Sequence, residues 1–111
     1  MNYQVVIRGR ALAQLQHLES YIAAESDPAR AARYIATITK FCRGLATFPN
    51  GRGRDCSHIS PGLRFCGFGK KVTVVFRVIS QSGIVSVHGI YYGGQNWETD
   101  RALLDELQQE N

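Results

Sequence analysis

Apolar and polar positions alternate over residues 3–8: Tyr3, Val5 and Ile7 share one face, while Gln4 and Arg8 lie on the other. A period of two predicts a strand. From 10 to 25 the period lengthens. Leu12, Leu15, Leu18 or Glu19, and Ile22 recur at helical spacing, with Ala11 and Ala23 supporting a packed stripe. Asp27-Pro28 then marks a second helix start. Asp27 can accept a hydrogen bond from a free amide as N-cap, and Pro28 suits the first helical position, where its missing N–H costs nothing. The next stripe is Ala32, Ile35, Ile38 or Thr39, Cys42 and Leu45, and Phe48-Pro49-Asn50-Gly51 ends it. Two helices joined by so short a turn lie antiparallel, as a helical hairpin.

Residues 50–61 read as a loop rich in Gly, Arg, Asp and Ser. Three strands are predicted beyond it, at 62–67, 72–79 and 84–92, with connections short enough for β-hairpins. Val72, Val74, Phe76 and Val78 line one face of the middle strand. Val75 and Ile79 leave its other face only partly polar, as a central strand requires. Such a sheet cannot bury its apolar face alone, and the helical hairpin supplies the cover. A last helix is predicted over 97–110, with Asn96 as cap, Glu98 and Asp100 near its positive end, and Leu103, Leu104 and Leu107 as a narrow apolar stripe. The fold class is α+β: an N-terminal strand, an antiparallel helical hairpin, a three-strand antiparallel meander packed on the hairpin, and a C-terminal helix.

The 111 residues fit one domain, 1–111, with no internal repeat or linker. A hydrophobic fraction of 44% against 20% charged residues excludes a disordered chain. No run approaches the ~20 apolar residues that span a bilayer, and the N-terminus reads as a strand and not a leader. The three cysteines, Cys42, Cys56 and Cys66, are odd in number and widely spaced, which points to reduced thiols in the cytoplasm. The net charge of +4 is unevenly spread. Between Pro28 and Trp97 stand Arg30, Arg33, Lys40, Arg43, Arg52, Arg54, Arg64, Lys70, Lys71 and Arg77 against a single acid, Asp55, whereas the tail is acidic. A basic body favours an acidic partner, either nucleic acid or an acidic protein segment.

Several chemistries are excluded by spacing. Gly67-Phe68-Gly69-Lys70-Lys71 lacks the first glycine of a phosphate loop (Arg64 stands there) and has Lys71 where Ser or Thr is needed. The cysteines with His17, His58 and His88 have no compact ligand spacing for zinc. No serine sits in a Gly-x-Ser-x-Gly elbow, and no carboxylate pair is placed for glycoside chemistry. The lack of acids between Asp55 and Glu98 argues against a magnesium-dependent nuclease. What is left is binding alone, or metal-free phosphodiester cleavage. The latter needs a base, cations for the phosphorane and an acid for the leaving oxygen. Arg52, Arg54, Arg64 and Arg77 are the candidate cations, and His88, Tyr91 and Tyr92 the candidate proton carriers. No cofactor is implied.

In this order the residues resemble the RelE/ParE toxin superfamily, over the chain to about Trp97, and its ParE-like branch in particular. Leu18-Glu19-Ser20-Tyr21-Ile22-Ala23 resembles the first helix, Pro28-Ala29-Arg30-Ala31-Ala32 the opening of the second, and Leu45-Ala46-Thr47-Phe48-Pro49 with Gly51-Arg52 its end and exit loop. Pro61-Gly62-Leu63-Arg64 resembles the start of the second strand, Val74-Val75-Phe76-Arg77-Val78 the central strand, and Tyr91-Tyr92-Gly93-Gly94-Gln95-Asn96-Trp97 the closing strand end.

The resemblance implies the toxin of a type II toxin–antitoxin system, neutralised by a cognate antitoxin with which it forms a complex. ParE-like members poison DNA gyrase; RelE-like members cut messenger RNA on the ribosome. In the cleaving branch, cations on the sheet and a His or Tyr near the last strand carry the reaction, often with an arginine close behind. Tyr92 holds that position here, with Arg64, Arg77 and His88 as the remaining ribonuclease candidates. Gly93, Gly94 and Gln95 follow it without an arginine, which favours the gyrase-directed, non-enzymatic branch. Antitoxins of this class carry a flexible, acidic, amphipathic tail, and Arg30, Arg33, Arg43, Arg52, Arg54 and Trp97 are the candidate contacts for the antitoxin or for the target. The alternatives are the ribosome-dependent endoribonuclease and a non-toxic binding module. The terminal helix leaves three roles open: capping the sheet, docking the antitoxin, or self-association.

Overall fold

A computed structural model describes residues 2–109. The first strand, β1 (Gln4–Ile7), leads directly into α1 (Gly9–Glu25), and α2 (Pro28–Arg43) returns beside it. Asp27 caps α2 as its neighbour Pro28 requires, its side chain accepting from the Arg30 amide at 2.8 Å. One-turn 3-10 helices at Gly44–Ala46 and Pro49–Gly51 carry the chain out of the hairpin. A two-residue strand β2 (Arg54–Asp55) then precedes β3 (Leu63–Phe68), β4 (Val72–Ile79) and β5 (Ile84–Tyr92). The predicted meander is present. The sequence reading missed β2, which is too short to show a period, and the closing of all five strands into one sheet of order β1-β5-β4-β3-β2. β1 runs parallel to β5, and the other pairings are antiparallel.

Alternation along the strands builds two cores, one on each face. On the hairpin face, Val5, Val74, Phe76, Val85 and Val87 meet Ala11, Leu15, Leu18, Ile38, Cys42 and Leu45. Each fully buried aliphatic or aromatic side chain of this kind contributes about 1.5–3 kcal/mol. The stripes are turned slightly from the expected ones. Ala31, not Ala32, faces the core on α2, and on α1 Leu12 is left 46% exposed while Ala11 is sealed.

The opposite face is closed by the C-terminal segment. The helix expected over 97–110 is split: a 3-10 turn at Trp97–Thr99, then α3 (Arg101–Gln109), with the break at Asp100 in an extended conformation. Position 110 lies outside the described residues. Leu103 and Leu107 of α3 are buried with Trp97, Cys56, Leu63, Val75 and Tyr91, and Leu104 is half-buried. Among the described residues no helix is long and apolar enough to cross a membrane.

Candidate functional site

Most of the molecule's buried polar chemistry lies between the sheet and α3. Its placement begins with a bulge. Val75 of β4 faces Gly89 of β5, but the next residue, Phe76, faces Val87, so His88 is the extra residue on β5. The bulge keeps Val87 and Ile90 in the hairpin core while His88 and Tyr91 both serve the α3 side. Gly89 permits this, because a Cβ there would come within 2.5 Å of the Tyr91 ring.

A chain of hydrogen bonds crosses this face. Arg8 Nε donates to Ser86 Oγ at 2.7 Å, Ser86 Oγ lies 3.0 Å from His88 Nε2, and His88 Nδ1 lies 2.5 Å from Glu106 Oε2 on α3. A carboxylate only accepts, so Nδ1 carries a proton; Ser86 can then use its hydroxyl hydrogen on Nε2 while accepting from Arg8. Arg77 beside them is 5% exposed and donates to Ser60 Oγ and, at 3.1 Å, to the Leu107 carbonyl in the last turn of α3, the negative end of that helix. At the helix start, Asp100 accepts from Tyr91 at 2.8 Å and from Arg10, and also caps the Leu103 amide. Burial opposes the Asp100 charge, but the hydrogen bonds from Tyr91 and Arg10 outweigh it and hold its pKa below the usual carboxylate value. Burial is also the main cause that raises the Tyr91 pKa. Arg10, Glu106 and Ser60 escaped the sequence reading, and Asp100 was read only as an acid at the helix start; Arg10 and Asp100 are 90 residues apart and no local motif links them. The one available signal was Gly89 inside a strand, which marks a bulge.

The four ribonuclease candidates are divided by the sheet. Arg77 and His88 lie under α3, with His88 fully buried. Tyr92 packs on the hairpin side, its ring 6.4 Å from that of Tyr21 and 6.2 Å from that of Tyr34. Arg64 alternates with Leu63 and Phe65 and so shares the face of Cys66. Its guanidinium donates to the Arg52 and Gly53 carbonyls at 2.8 and 3.2 Å and stands 3.9 Å from Asp55.

The binding candidates also separate. Arg30 and Arg33 are exposed on the first turns of α2 and Arg43 on its last, about 20 Å away at 1.5 Å per residue. Near Arg43, whose guanidinium donates to the Val5 carbonyl at 3.0 Å, lies Arg52, which donates to the carbonyls of Thr47 and Gly44; Arg54 is exposed on β2. Trp97 is 5% exposed, with its ring 5.4 Å from that of Phe65, so it anchors the second core and offers little surface to a partner. An open groove of about 570 Å³ runs between α1 and the end of β5, lined by Arg10, Gln14, His17, Leu18, Tyr21, Ile90, Tyr92 and neighbours. Here β5 outruns β1, and the Ile90 amide is held by the Gln14 side-chain carbonyl at 2.7 Å. The three cysteines are free and buried, and burial pushes the Cys42 thiol up to about 12. Among the described residues no three metal-ligating side chains gather.

A family model of the ParE toxin of the type II toxin–antitoxin system parDE matches residues 5–97. No curated protein matches the sequence. The fold is similar to a chain of the chromosomal ParDE system from P. aeruginosa, at 19% identity and TM-score 0.71, over 82% of this chain and 96% of that one. A chain of the toxin–antitoxin complex RelBE2 from Mycobacterium tuberculosis is similar at 16% identity and TM-score 0.64, over 83% and 99% of the two chains. An E. coli RelE toxin mutant in the free state is similar at 15% identity and TM-score 0.60, over 99% and 98%.

Proposed function

The chain belongs to the ParE toxin family of type II toxin–antitoxin systems, and from that premise we propose that it arrests growth in the cytoplasm by binding and inhibiting DNA gyrase, restrained by a cognate antitoxin. The observation that carries the inhibitor reading is the division of the candidate catalytic groups. Metal-free cleavage needs a base, an acid and cations around one phosphate. Here Tyr92 and Arg64 lie on one side of the sheet and Arg77 and His88 on the other, where α3 covers them. An inhibitor needs a surface and no such convergence.

The antitoxin reading is supported by two features of that surface. The groove beside α1 offers Leu18, Tyr21, Ile90 and Tyr92 to apolar anchors. Among the described residues the guanidinium groups of Arg30 and Arg33 at one end of α2, and of Arg43 and Arg52 near the other, form no ion pair within 4 Å, although Asp27 lies beside the first two. An acidic segment that folds onto the toxin meets charge at both ends and apolar sockets between. Exposed pairs of this kind contribute under about 1 kcal/mol each, so the anchors supply most of the affinity.

Expression without the antitoxin should stop growth and induce DNA-damage signalling, and co-expression of the antitoxin from the neighbouring reading frame should restore growth. Arrest with translation lost first and no damage signal would remove gyrase as the target. A second reading, ribosome-dependent mRNA cleavage, is favoured by the groove itself, which places Tyr92 with His17 and Arg10. It predicts transcripts cut at ribosome-bound positions and loss of cutting in Tyr92→Phe.

A further inference from the structure

Resting on the toxin reading above, we infer that Phe48 is a preformed anchor that docks this chain onto a folded, acidic partner protein, the target it poisons, through an apolar socket rimmed by carboxylates. Two independent observations single it out. The residue is 79% exposed, the most exposed large apolar one among the described residues. Its backbone sits at φ 49°, ψ 52°, and it is the one non-glycine residue of positive φ among the described residues. A bulky side chain adopts that conformation only when its surroundings impose it, and such residues gather at functional sites.

The surroundings here do impose it. Pro49 is fully buried and fixes the following turn, the Gly51 amide donates to the Phe48 carbonyl at 3.0 Å, Leu45 is sealed in the core on the preceding turn, and Thr47 bridges to Asn2. Arg52 reaches back to the Thr47 carbonyl at 3.2 Å and holds the segment from outside. The ring is thus presented to solvent on a rigid support. Nothing in the hairpin core needs it there. A rigid aromatic with little freedom left to lose is the kind of group that dominates protein interfaces.

Charge and shape identify the partner. Arg43, Arg52 and Arg64 lie around this exit from α2: Arg52 reaches the Thr47 and Gly44 carbonyls, Arg64 reaches the Arg52 carbonyl, and Asp55 stands 3.9 Å from Arg64. The forks of Arg52 and Arg64 are largely spent on backbone carbonyls, so they contribute field more than a bidentate grip on phosphate. Single-stranded nucleic acid is held by successive stacking aromatics, and the other exposed aromatic, Tyr21, belongs to α1. Acidic protein therefore fits better than RNA. A disordered antitoxin tail brings anchors and needs sockets; a protruding knob needs a socket that already exists, which a folded partner supplies.

The test is growth arrest by the full chain expressed without antitoxin, at matched soluble levels. Phe48→Asn removes the ring while tolerating the left-handed backbone, and Phe48→Tyr keeps the ring. The expected result is that Phe48→Asn needs roughly thirtyfold more toxin to stop growth, as loss of an interface hot spot implies, while Phe48→Tyr matches the wild type. Should Phe48→Asn fail to fold, Phe48→Gly, which takes up the left-handed backbone without strain, decides: weakened arrest supports the anchor, and undiminished arrest overturns it. Phe48→Asn arresting growth like the wild type overturns the inference alone. So does a parallel loss of binding to a fluorescent single-stranded RNA oligonucleotide, which would make the partner a nucleic acid. A wild type that never arrests growth overturns the toxin reading and the inference with it.

Discussion

On the hairpin side of the sheet the buried core is apolar, with Ile38, Leu45, Val74, Phe76 and Val87 all fully buried and polar contacts such as Gln14 to Ile90 and Arg43 to Val5 kept to its margins. On the α3 side, Leu103 and Leu107 share the interface with Arg77, His88, Tyr91, Asp100 and Glu106, which are joined in directed hydrogen bonds. The first face is held by area, which is non-directional and tolerant of small shifts. The second is held by geometry: the bonds of Arg77 to Leu107, His88 to Glu106 and Tyr91 to Asp100 last only while α3 keeps its place, and a buried polar group is costly to leave without a partner. The contrast separates a scaffold from a seal. It also bears on function, because the groups best suited to proton transfer are used to hold a helix.

The contrast can be broken at its strong side first. Phe76→Ala, in the middle of the hairpin core, should cost about 3–5 kcal/mol in urea unfolding with a single cooperative transition. Leu103→Ala should cost less, about 2–3 kcal/mol, because a nine-residue terminal helix can settle into the space. Thiol alkylation reports which face opens. Cys42 and Cys66 belong to the hairpin core and Cys56 to the α3 core, so Leu103→Ala should speed labelling of Cys56 and leave Cys42 and Cys66 protected. Equal acceleration at all three would show one cooperative unit and remove the distinction.

Smaller changes sharpen it. Glu106→Gln keeps the shape but weakens the charge-assisted bond to His88, and should cost about 1–2 kcal/mol, seen as faster amide exchange in α3 with β4 unaffected. The last effect is one of pH. The Asp100 carboxylate has its pKa lowered in the fold, so its contribution is fully present above the ordinary value of 3.8 and is lost as pH falls through the lower folded value. Acid titration should therefore loosen the start of α3, and Asp100→Asn should abolish that pH dependence while weakening the helix at neutral pH. A titration curve unchanged by Asp100→Asn would contradict the assignment.

How far the sequence alone reaches depends on the kind of interaction. The hairpin, the meander and the α2 cap were legible because period and capping act within a few residues: Asp27-Pro28 behaves as its chemistry demands, and Val72, Val74, Phe76 and Val78 face one side. Leu12 and Ala32 were misplaced because a stripe can turn by one position without losing its period. The parallel pairing of β1 with β5 was not legible, since it joins residues about eighty positions apart. The side-chain network under α3 was the least legible part. Arg77 and His88 were visible as types, but their burial depends on Ser60, Leu107 and Glu106, which carry no motif. Trp97, a candidate contact by its residue type, packs on Phe65, because whether an aromatic after a glycine turn points out or back is decided by strands far away in the chain.

The most direct measurement adds the purified protein to two reactions side by side: supercoiling of relaxed plasmid by DNA gyrase, and translation of a defined messenger on ribosomes. The account predicts that supercoiling stops while the messenger stays intact. Intact supercoiling with the messenger cut at ribosome-bound codons would contradict it.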